Sequence, residues 1–117
     1  MSRRRRERRG RYAESVAALF LRLRGFRIIA RRYATPVGEI DLVAQRGPLL
    51  VFVEVKHRAG RIDALAALQP MQRARIARAA AAFLQRRPDL AACAVRFDLV
   101  ATAPWRWPSH VVDAWRE

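Results

Sequence analysis

Two short runs of this sequence carry the side chains that hydrolysis of a phosphodiester bond requires. GEIDLV contains Glu39 and Asp41, and VFVEVKHR contains Glu54 and Lys56. Lys56 is the one lysine among 24 basic side chains, and the others are all arginine. Since a compact ammonium and a planar guanidinium are not interchangeable, a single lysine in an arginine-rich chain indicates a specific chemical requirement. Chance is the alternative explanation.

Hairpin geometry predicts that these four side chains meet. If the two runs are antiparallel strands joined by a two-residue Gly-Pro turn, Asp41 stands opposite Glu54. Glu39 then stands opposite Lys56, and cross-strand partners have Cβ atoms about 4.5–5.5 Å apart. The two-residue period of a strand places Glu54 and Lys56 on one face. A slip of one residue would scatter the four groups, so this prediction depends on the register.

Paired carboxylates with a neighbouring ammonium are typical of metal-assisted hydrolysis. Two carboxylates so close repel unless a proton or a cation joins them. We predict a Mg²⁺ or Mn²⁺ site formed by Asp41, Glu54 and the backbone carbonyl of Val55, since Mg²⁺ commonly takes one or two carboxylates. Lys56 would orient the attacking water or stabilise charge on the phosphoryl oxygens. The alternative is a set of ion pairs on a half-exposed sheet face.

Periodicity places both runs on strands of an α/β fold. Apolar spacings of three and four predict a helix over residues 12–24, which Gly25 ends. FRIIARRY, GEIDLVAQ and LLVFVEVKHR predict three strands, the third apolar enough to lie at the sheet centre. A looser segment, residues 59–69, precedes a helix from Pro70 to about Gln85. AVRFDLVA then predicts a fourth strand, and HVVDAW a short fifth strand or, alternatively, a terminal turn. The prediction is a mixed central sheet flanked by helices.

Composition limits the classes of function. At 117 residues the chain forms one domain, and its net charge of +14 predicts a polyanionic partner. We favour nucleic acid, and DNA in particular, over a membrane, because no long basic amphipathic helix and no apolar run of about 18 residues occurs. Cys93 has no partner for an internal disulfide, and charged residues interrupt any export signal, so we expect a cytoplasmic protein.

Basic and aromatic residues indicate where nucleic acid would bind. Residues 1–11 predict a flexible basic arm preceding a single domain over residues 12–117, the alternative being a solvated tail without a role. The predicted contacts to nucleic acid are Arg3, Arg4, Arg5, Arg6, Arg58, Arg73, Arg75 and Arg78. Trp105 and Trp107 would offer stacking surfaces to unpaired bases, although a rigid hairpin tip covering the core is the favoured interpretation.

GEIDLV, VFVEVKHR, the helix ending in AAAAFL and VRFDLVA together resemble the YraN-type family of small bacterial proteins. The resemblance runs from about residue 12 to the C-terminus. It implies a restriction-endonuclease-like core of the PD-(D/E)xK nuclease superfamily, related to archaeal Holliday-junction resolvases. Asp41, Glu54 and Lys56 would fill the D, E and K positions. The resemblance also implies that Glu14 is an accessory metal ligand, although Glu14 alone is equally typical of a helix surface.

The second helix departs from the family pattern. Many relatives have a lysine where this chain has Gln72, which can donate or accept a hydrogen bond but supplies no charge. Gln69, one turn earlier, would share the hydrogen bonding to a phosphate or a metal-bound water. Alternatively, both glutamines are ordinary polar residues near the start of a helix. Glu39 completes the accessory set, and His57 is expected to be a packing or surface residue.

We therefore hypothesise a metal-dependent endonuclease that hydrolyses DNA, on branched or damaged structures and as a possible homodimer. The alternatives are a non-catalytic nucleic-acid-binding module on the same fold and an interaction protein for an acidic partner.

Overall fold

A five-stranded mixed sheet forms the centre of the molecule, and the α/β prediction is confirmed. The computed structural model describes residues 3–116, with side chains from residue 10 onward. The strands are β1 (Arg27–Thr35), β2 (Gly38–Arg46), β3 (Leu49–His57), β4 (Ala94–Thr102) and β5 (Ser109–Trp115). They lie in the sheet in chain order. The pairing of β3 with β4 is parallel, and the other three pairings are antiparallel.

Helices cover both faces of this sheet. They are α1 (Arg3–Leu23), α2 (Arg61–Ala67) and α3 (Pro70–Gln85), followed by a 3₁₀ turn (Pro88–Leu90). The arrangement is compatible with a restriction-endonuclease-like core. In the described part of the chain, no helix is long and apolar enough to cross a membrane.

Strand β3 is buried on both faces, as its continuous apolar run predicted. Leu50 and Phe52 pack in the cluster under α3, and Val51 and Val53 pack in the cluster under α1. The ring of Phe52 meets that of Phe83 on α3 edge to face, with centroids 5.8 Å apart. Because β3 alternates sides in this way, the polar residues at its C-terminal end must also divide between the two faces.

Helix α1 begins earlier than the sequence indicated. Its helical backbone starts at Arg3, so the predicted start of this helix at residue 12 is wrong. The division into a basic arm over residues 1–11 and a domain over residues 12–117 stays a prediction. Residues 3–11 lack core-forming side chains, but arginine is a good helix former and can extend a helix that is anchored elsewhere. The side chains of Arg3, Arg4, Arg5 and Arg6, which were predicted to bind nucleic acid, lie outside the part of the structure for which side chains are described.

The C-terminal end of α1 follows the prediction. Gly25 has a φ of 89°, a left-handed conformation that glycine adopts readily. The Phe26 N–H donates to the Leu21 carbonyl at 3.0 Å and the Gly25 N–H to the Arg22 carbonyl at 3.0 Å. This pair of bonds is a Schellman motif, which satisfies the last carbonyls and directs the chain into β1.

Helix α2 occupies the segment that was predicted to be loose. It buries Ala64 in a cluster with Leu99 of β4 and Val111 of β5. A helix with one buried residue has too short an apolar pattern for periodicity to detect. Pro70 nevertheless begins α3, as predicted, and its apolar face is buried through Ile76 and Phe83.

A buried carboxylate joins the last two strands. Asp98, fully buried, accepts hydrogen bonds from Arg96 Nε at 2.8 Å, His110 Nε2 at 2.7 Å and the Asp113 N–H at 2.9 Å. Burial would raise the pKa of Asp98, but the bonds from His110, Arg96 and Asp113 outweigh it and hold that pKa below its ordinary value. The ionised carboxylate therefore stabilises the register of β5 against β4.

We expect Asp98→Ala to lower the free energy of unfolding by about 3 kcal/mol, because it leaves buried donors unpaired. The matched control is Asp89→Ala, which removes a solvent-exposed pair with Arg87 and should change stability far less. Urea denaturation of both variants measures the difference. Equal losses would show that the buried network does not stabilise the β4–β5 pair.

Candidate active site

The predicted register of the central hairpin is correct, but its ladder ends before the site begins. Arg46 pairs with Leu49, and the antiparallel pairing continues to Leu42 opposite Val53. Beyond that pair the strands part, so Asp41 has no ladder partner on β3. The predicted cross-strand pairs involving the acidic residues therefore do not form as backbone pairs, and other contacts bring the side chains together.

Where the ladder has ended, the Asp41 side chain accepts the hydrogen bond that a backbone carbonyl of β2 would otherwise accept. Its Oδ2 accepts a hydrogen bond from the Val55 N–H at 2.8 Å. Strict alternation would put Ile40 on the same face as Leu42, yet Ile40 packs under α3 and Leu42 under α1. The alternation of β2 thus breaks at Asp41, and the carboxylate points into the gap between the strands.

Glu54, Lys56 and Gln72 form a closed set of contacts beside Asp41. Lys56 Nζ lies 3.3 Å from Glu54 Oε1 and donates to Gln72 Oε1 at 3.1 Å. Gln72 Nε2 in turn donates to Glu54 Oε1 at 3.0 Å. The carboxyl groups of Glu54 and Asp41 line the same cleft and lie close enough for each to shift the pKa of the other. The structure therefore brings together Asp41, Glu54 and Lys56 with Gln72 of α3, which was predicted as an accessory residue.

Burial dominates the electrostatics of the two acids. It raises the pKa of Glu54 to about 8, and the charge of Asp41 adds to this effect while Lys56 opposes it. Burial also raises the pKa of Asp41, although the Val55 N–H partly offsets the effect. Without a cation the pair is therefore most stable when it shares a proton.

We expect the free energy of unfolding of the metal-free protein to fall as the pH rises from 4.5 to about 8. Folded protein keeps the Glu54 proton up to about pH 8, whereas the unfolded chain releases it near 4.5. The folded state binds more protons between these values, so the free energy of unfolding decreases with pH there. Glu54→Gln should flatten this decrease, as measured by urea denaturation in EDTA at several pH values. Asp63→Asn, at an exposed site on α2, should retain it, and identical pH dependences in all three proteins would contradict the assignment.

The donors at this point fit a hard dication that keeps waters of its own. The N–H and C=O of one strand residue point to the same edge, so the Val55 carbonyl also faces the gap beside Asp41. Within the described residues, no three side chains of Asp, Glu, His or Cys are grouped as a metal site. Two carboxylates and one backbone oxygen are nevertheless a typical Mg²⁺ set when substrate and water complete the coordination.

Glu14 has other partners in this structure. It is 5 % exposed, and its Oε2 lies 2.8 Å from Arg32 Nε and its Oε1 3.4 Å from Arg31 Nε. Two consecutive strand residues reach the same carboxylate because Arg32 has a φ of 51°, which interrupts the alternation of β1. Glu14 shares a cleft with Asp41 and Val55. Its role as an accessory metal ligand stays a prediction.

The other predicted site residues are distributed around the cluster. Glu39 is exposed and lines the clefts on both sides of Asp41. Gln69 is exposed at the start of α3, where its side chain donates to the Ala66 carbonyl, so it does not share the contacts of Gln72. His57 extends to the cleft that contains Glu14.

The predicted basic contacts differ in position. Arg75 is exposed and lines the cleft of Asp41, Glu54 and Gln72. Arg78 is exposed farther along α3, and Arg73 is half-buried, with Nε donating to the Leu68 carbonyl. Arg58 is exposed at the end of β3 and bonds to the carbonyl of His57.

A glycine that sequence reasoning did not single out sets the distance between α3 and the sheet. A Cβ on Gly38 would lie 2.6 Å from the carbonyl oxygen and 3.0 Å from the carbonyl carbon of Arg75. Both atoms belong to the backbone of α3, one helical turn after Gln72. The start of β2 can therefore approach α3 this closely only without a side chain, and that approach holds Gln72 over Glu54.

We expect Gly38→Ala to destabilise the protein by about 1–3 kcal/mol, because one of the two backbones must move. The shift should also separate Gln72 from Lys56, which NMR of the Gln72 side-chain amide would detect. Gly10→Ala is the control, since a Cβ at Gly10 meets nothing within 4 Å and alanine favours the helix. Unchanged stability of Gly38→Ala would contradict the close approach.

The fold and the site define an α/β protein with a buried carboxylate–lysine cluster at the fork of its central hairpin. The uncharacterised protein family UPF0102 matches residues 13–102, and the chain belongs to this family. The resemblance to the YraN-type family is thereby confirmed.

Several relatives are similar over most of their length. A UPF0102 protein of Paramagnetospirillum magneticum is 57 % identical over 114 residues, covering 94 % of this chain and 88 % of the relative. A UPF0102 protein of Parvibaculum lavamentivorans is 53 % identical, covering 89 % of this chain and 78 % of the relative. A UPF0102 protein of Caulobacter vibrioides is 53 % identical, covering 91 % of this chain and 85 % of the relative. These names state no reaction, so the chemistry must be argued from the site.

Proposed function

We propose that this protein is a metal-dependent endonuclease that hydrolyses phosphodiester bonds of DNA, including branched or damaged DNA. The observation that carries the proposal is the pair of carboxyl groups of Asp41 and Glu54, which line one cleft beside the amine of Lys56 where the β2–β3 ladder ends. In hydrolysis the oxygen of a water bonds to phosphorus, the bond from phosphorus to the leaving sugar oxygen breaks, and that oxygen gains a proton.

The protein's own residues supply position and charge for this reaction. Mg²⁺ or Mn²⁺ held by Asp41 and Glu54 would supply Lewis acidity towards the phosphate. Lys56 has three donors, of which Gln72 and Glu54 take up two directions, so one remains for a water or a phosphoryl oxygen. Gln72 fixes the ammonium by accepting from it and fixes Glu54 by donating to it. Such preorganisation is worth most in a site that excludes water.

Charge outside the cluster supports a polyanionic substrate. Arg75 lines the same cleft as Asp41 and Glu54 and would contact a phosphate next to the scissile one. The net charge of +14 adds a sequence-independent attraction to nucleic acid. Salt should therefore weaken DNA binding steeply.

We expect purified protein with Mg²⁺ or Mn²⁺ to nick or cleave duplex, single-stranded or branched DNA. Asp41→Asn should lower the rate at least about a hundredfold, because it removes a ligand and charge at the site. Lys56→Arg should also lose activity, since the planar guanidinium cannot replace the ammonium between Glu54 and Gln72. Gel assays on labelled DNA measure both rates.

One control variant guards against a contaminating nuclease. Asp89→Asn changes an exposed acid outside the cluster and should cut at the wild-type rate. If Asp41→Asn and Lys56→Arg cut as fast as wild type, the activity belongs to another protein and the proposal fails. Calorimetric titration with Mg²⁺ should give a binding heat for wild type that Asp41→Asn lacks.

A non-catalytic nucleic-acid-binding module is the second candidate function. The observation that favours it is the neutral Gln72 over the cluster, together with the engagement of both Glu14 oxygens by Arg31 and Arg32. This function requires salt-sensitive DNA binding without cleavage in any divalent metal. The same gel assays, followed by binding measurements at several salt concentrations, distinguish the two functions.

A further inference from the structure

Exposed aromatic side chains surround a groove between α1 and the loop that joins β4 to β5. Tyr12 is 70 % exposed, Trp107 is 74 % exposed and Trp105 is fully exposed. We call this surface the aromatic groove, and its principal lining residues are Tyr12, Val16, His57, Trp105, Arg106 and Trp107. The sequence-based interpretation of the two tryptophans as a cover for the core is wrong for Trp105, which covers nothing.

The backbone of Trp105 is in a conformation that tryptophan rarely adopts. The Arg106 N–H donates to the Ala103 carbonyl at 3.3 Å and closes a turn with Pro104 and Trp105 at its centre. Trp105 has a φ of 60°, the positive value that a type II turn needs at its third position and that glycine usually supplies. This position thus combines backbone strain with the exposure of the largest apolar side chain. Neither is offset by a contact within the described residues.

The remainder of the groove is held in place. The ring of Trp107 meets that of Phe20 on α1 edge to face, with centroids 5.9 Å apart. His57 Nδ1 lies 3.4 Å from Thr102 Oγ1 at the base of the loop. The loop therefore presents Trp105 from a fixed support, and binding would order few additional groups.

Charge and position favour one kind of occupant. Arg106 and Trp107 also line an adjoining cleft with Arg58, so cations flank the aromatic rings. His57 lines both the aromatic groove and the cleft that contains Asp41, which makes the two surfaces continuous. Aromatic faces interleaved with arginines are typical of surfaces that stack unpaired bases and contact their phosphates.

We propose that the aromatic groove binds unpaired bases of a DNA strand next to the site of cleavage. The inference rests on the proposed function, since it names the class of substrate that the cleft would receive. Bases within a duplex are already stacked on their neighbours, so the groove selects single-stranded, flapped or branched DNA. In this proposal the DNA strand passes from Asp41 along His57 to Trp105.

The test is the binding of a labelled single-stranded oligonucleotide in EDTA, which separates binding from cleavage. Trp105→Gly should raise the dissociation constant at least about fivefold, because one stacked base is lost. Glycine suits the positive φ, so the variant should be as stable as wild type or more stable. Trp105→Tyr should restore most of the affinity. Ile62→Ala, which changes another exposed apolar residue outside the groove, should bind as wild type does.

An oligonucleotide with abasic sites gives the sharper comparison. It keeps the phosphates and lacks the bases, so wild type and Trp105→Gly should bind it equally. An equal loss on the abasic strand, or no loss on the normal strand, would overturn the proposal and assign binding to the phosphates alone. Wild type should also favour single-stranded DNA over a duplex of the same length by a larger factor than Trp105→Gly does.

Other occupants of the groove have their own signatures. If Trp105→Gly leaves DNA binding intact but abolishes self-association in sedimentation, or binding to phosphatidylglycerol vesicles, the groove serves that partner and the proposal is wrong. The groove and the endonuclease can also be rejected separately. Base-dependent binding through Trp105 without cleavage in any metal would retain the groove and reject the endonuclease.

Discussion

The site depends on one hydrogen bond of the sheet in which a side-chain carboxylate replaces a backbone carbonyl as the acceptor. Where β2 and β3 part, the Val55 N–H would lose its acceptor, and a buried backbone N–H without a partner destabilises a protein by about 1–3 kcal/mol. The carboxylate of Asp41 supplies the acceptor instead, at 2.8 Å. The side chain that would bind a cation is thereby also part of the sheet. Asp41 cannot turn away from the gap without leaving Val55 unpaired, and this fixes one carboxylate before any ligand arrives.

The second carboxylate is fixed from α3. Gln72 holds Glu54 and Lys56 through one amide, and Gly38 allows α3 to approach closely enough for that contact. Burial and the proximity of Asp41 nevertheless raise the pKa of Glu54 to about 8, so the arrangement favours a bound proton or cation. Such local instability is common where a fold holds groups for chemistry, and the well-packed centre of β3 can sustain it.

The hairpin was predictable because its information is local. A two-residue turn and the alternation of β3 determine which residues pair, and the register from Arg46–Leu49 to Leu42–Val53 follows from them. The end of that ladder was not predictable, and it coincides with the left-handed Arg32 on the neighbouring strand and the close approach of α3 at Gly38. These are tertiary constraints between residues distant in sequence.

Two other features were missed, one for the same reason and one for a local reason. The carboxylate of Asp98 collects its donors from β4 and β5, and no local spacing relates Arg96 to His110. Helix α2 buries a single residue, so its apolar period is too short to detect. By contrast, Gly25 at the end of α1 and Pro70 at the start of α3 act within one turn of chain, and both predictions are confirmed.

The break in alternation at Asp41 also explains how one site can serve both faces of the sheet. Asp41 and Glu39 line a cleft on the side of Gln72 and Arg75 and another on the side of Glu14 and His57. A side chain in regular alternation would be confined to one face. Because the ladder has ended, Asp41 borders both clefts at the gap between β2 and β3. On the proposed function, a strand crossing this gap would meet Arg75 on one side of the scissile phosphate and the aromatic groove on the other.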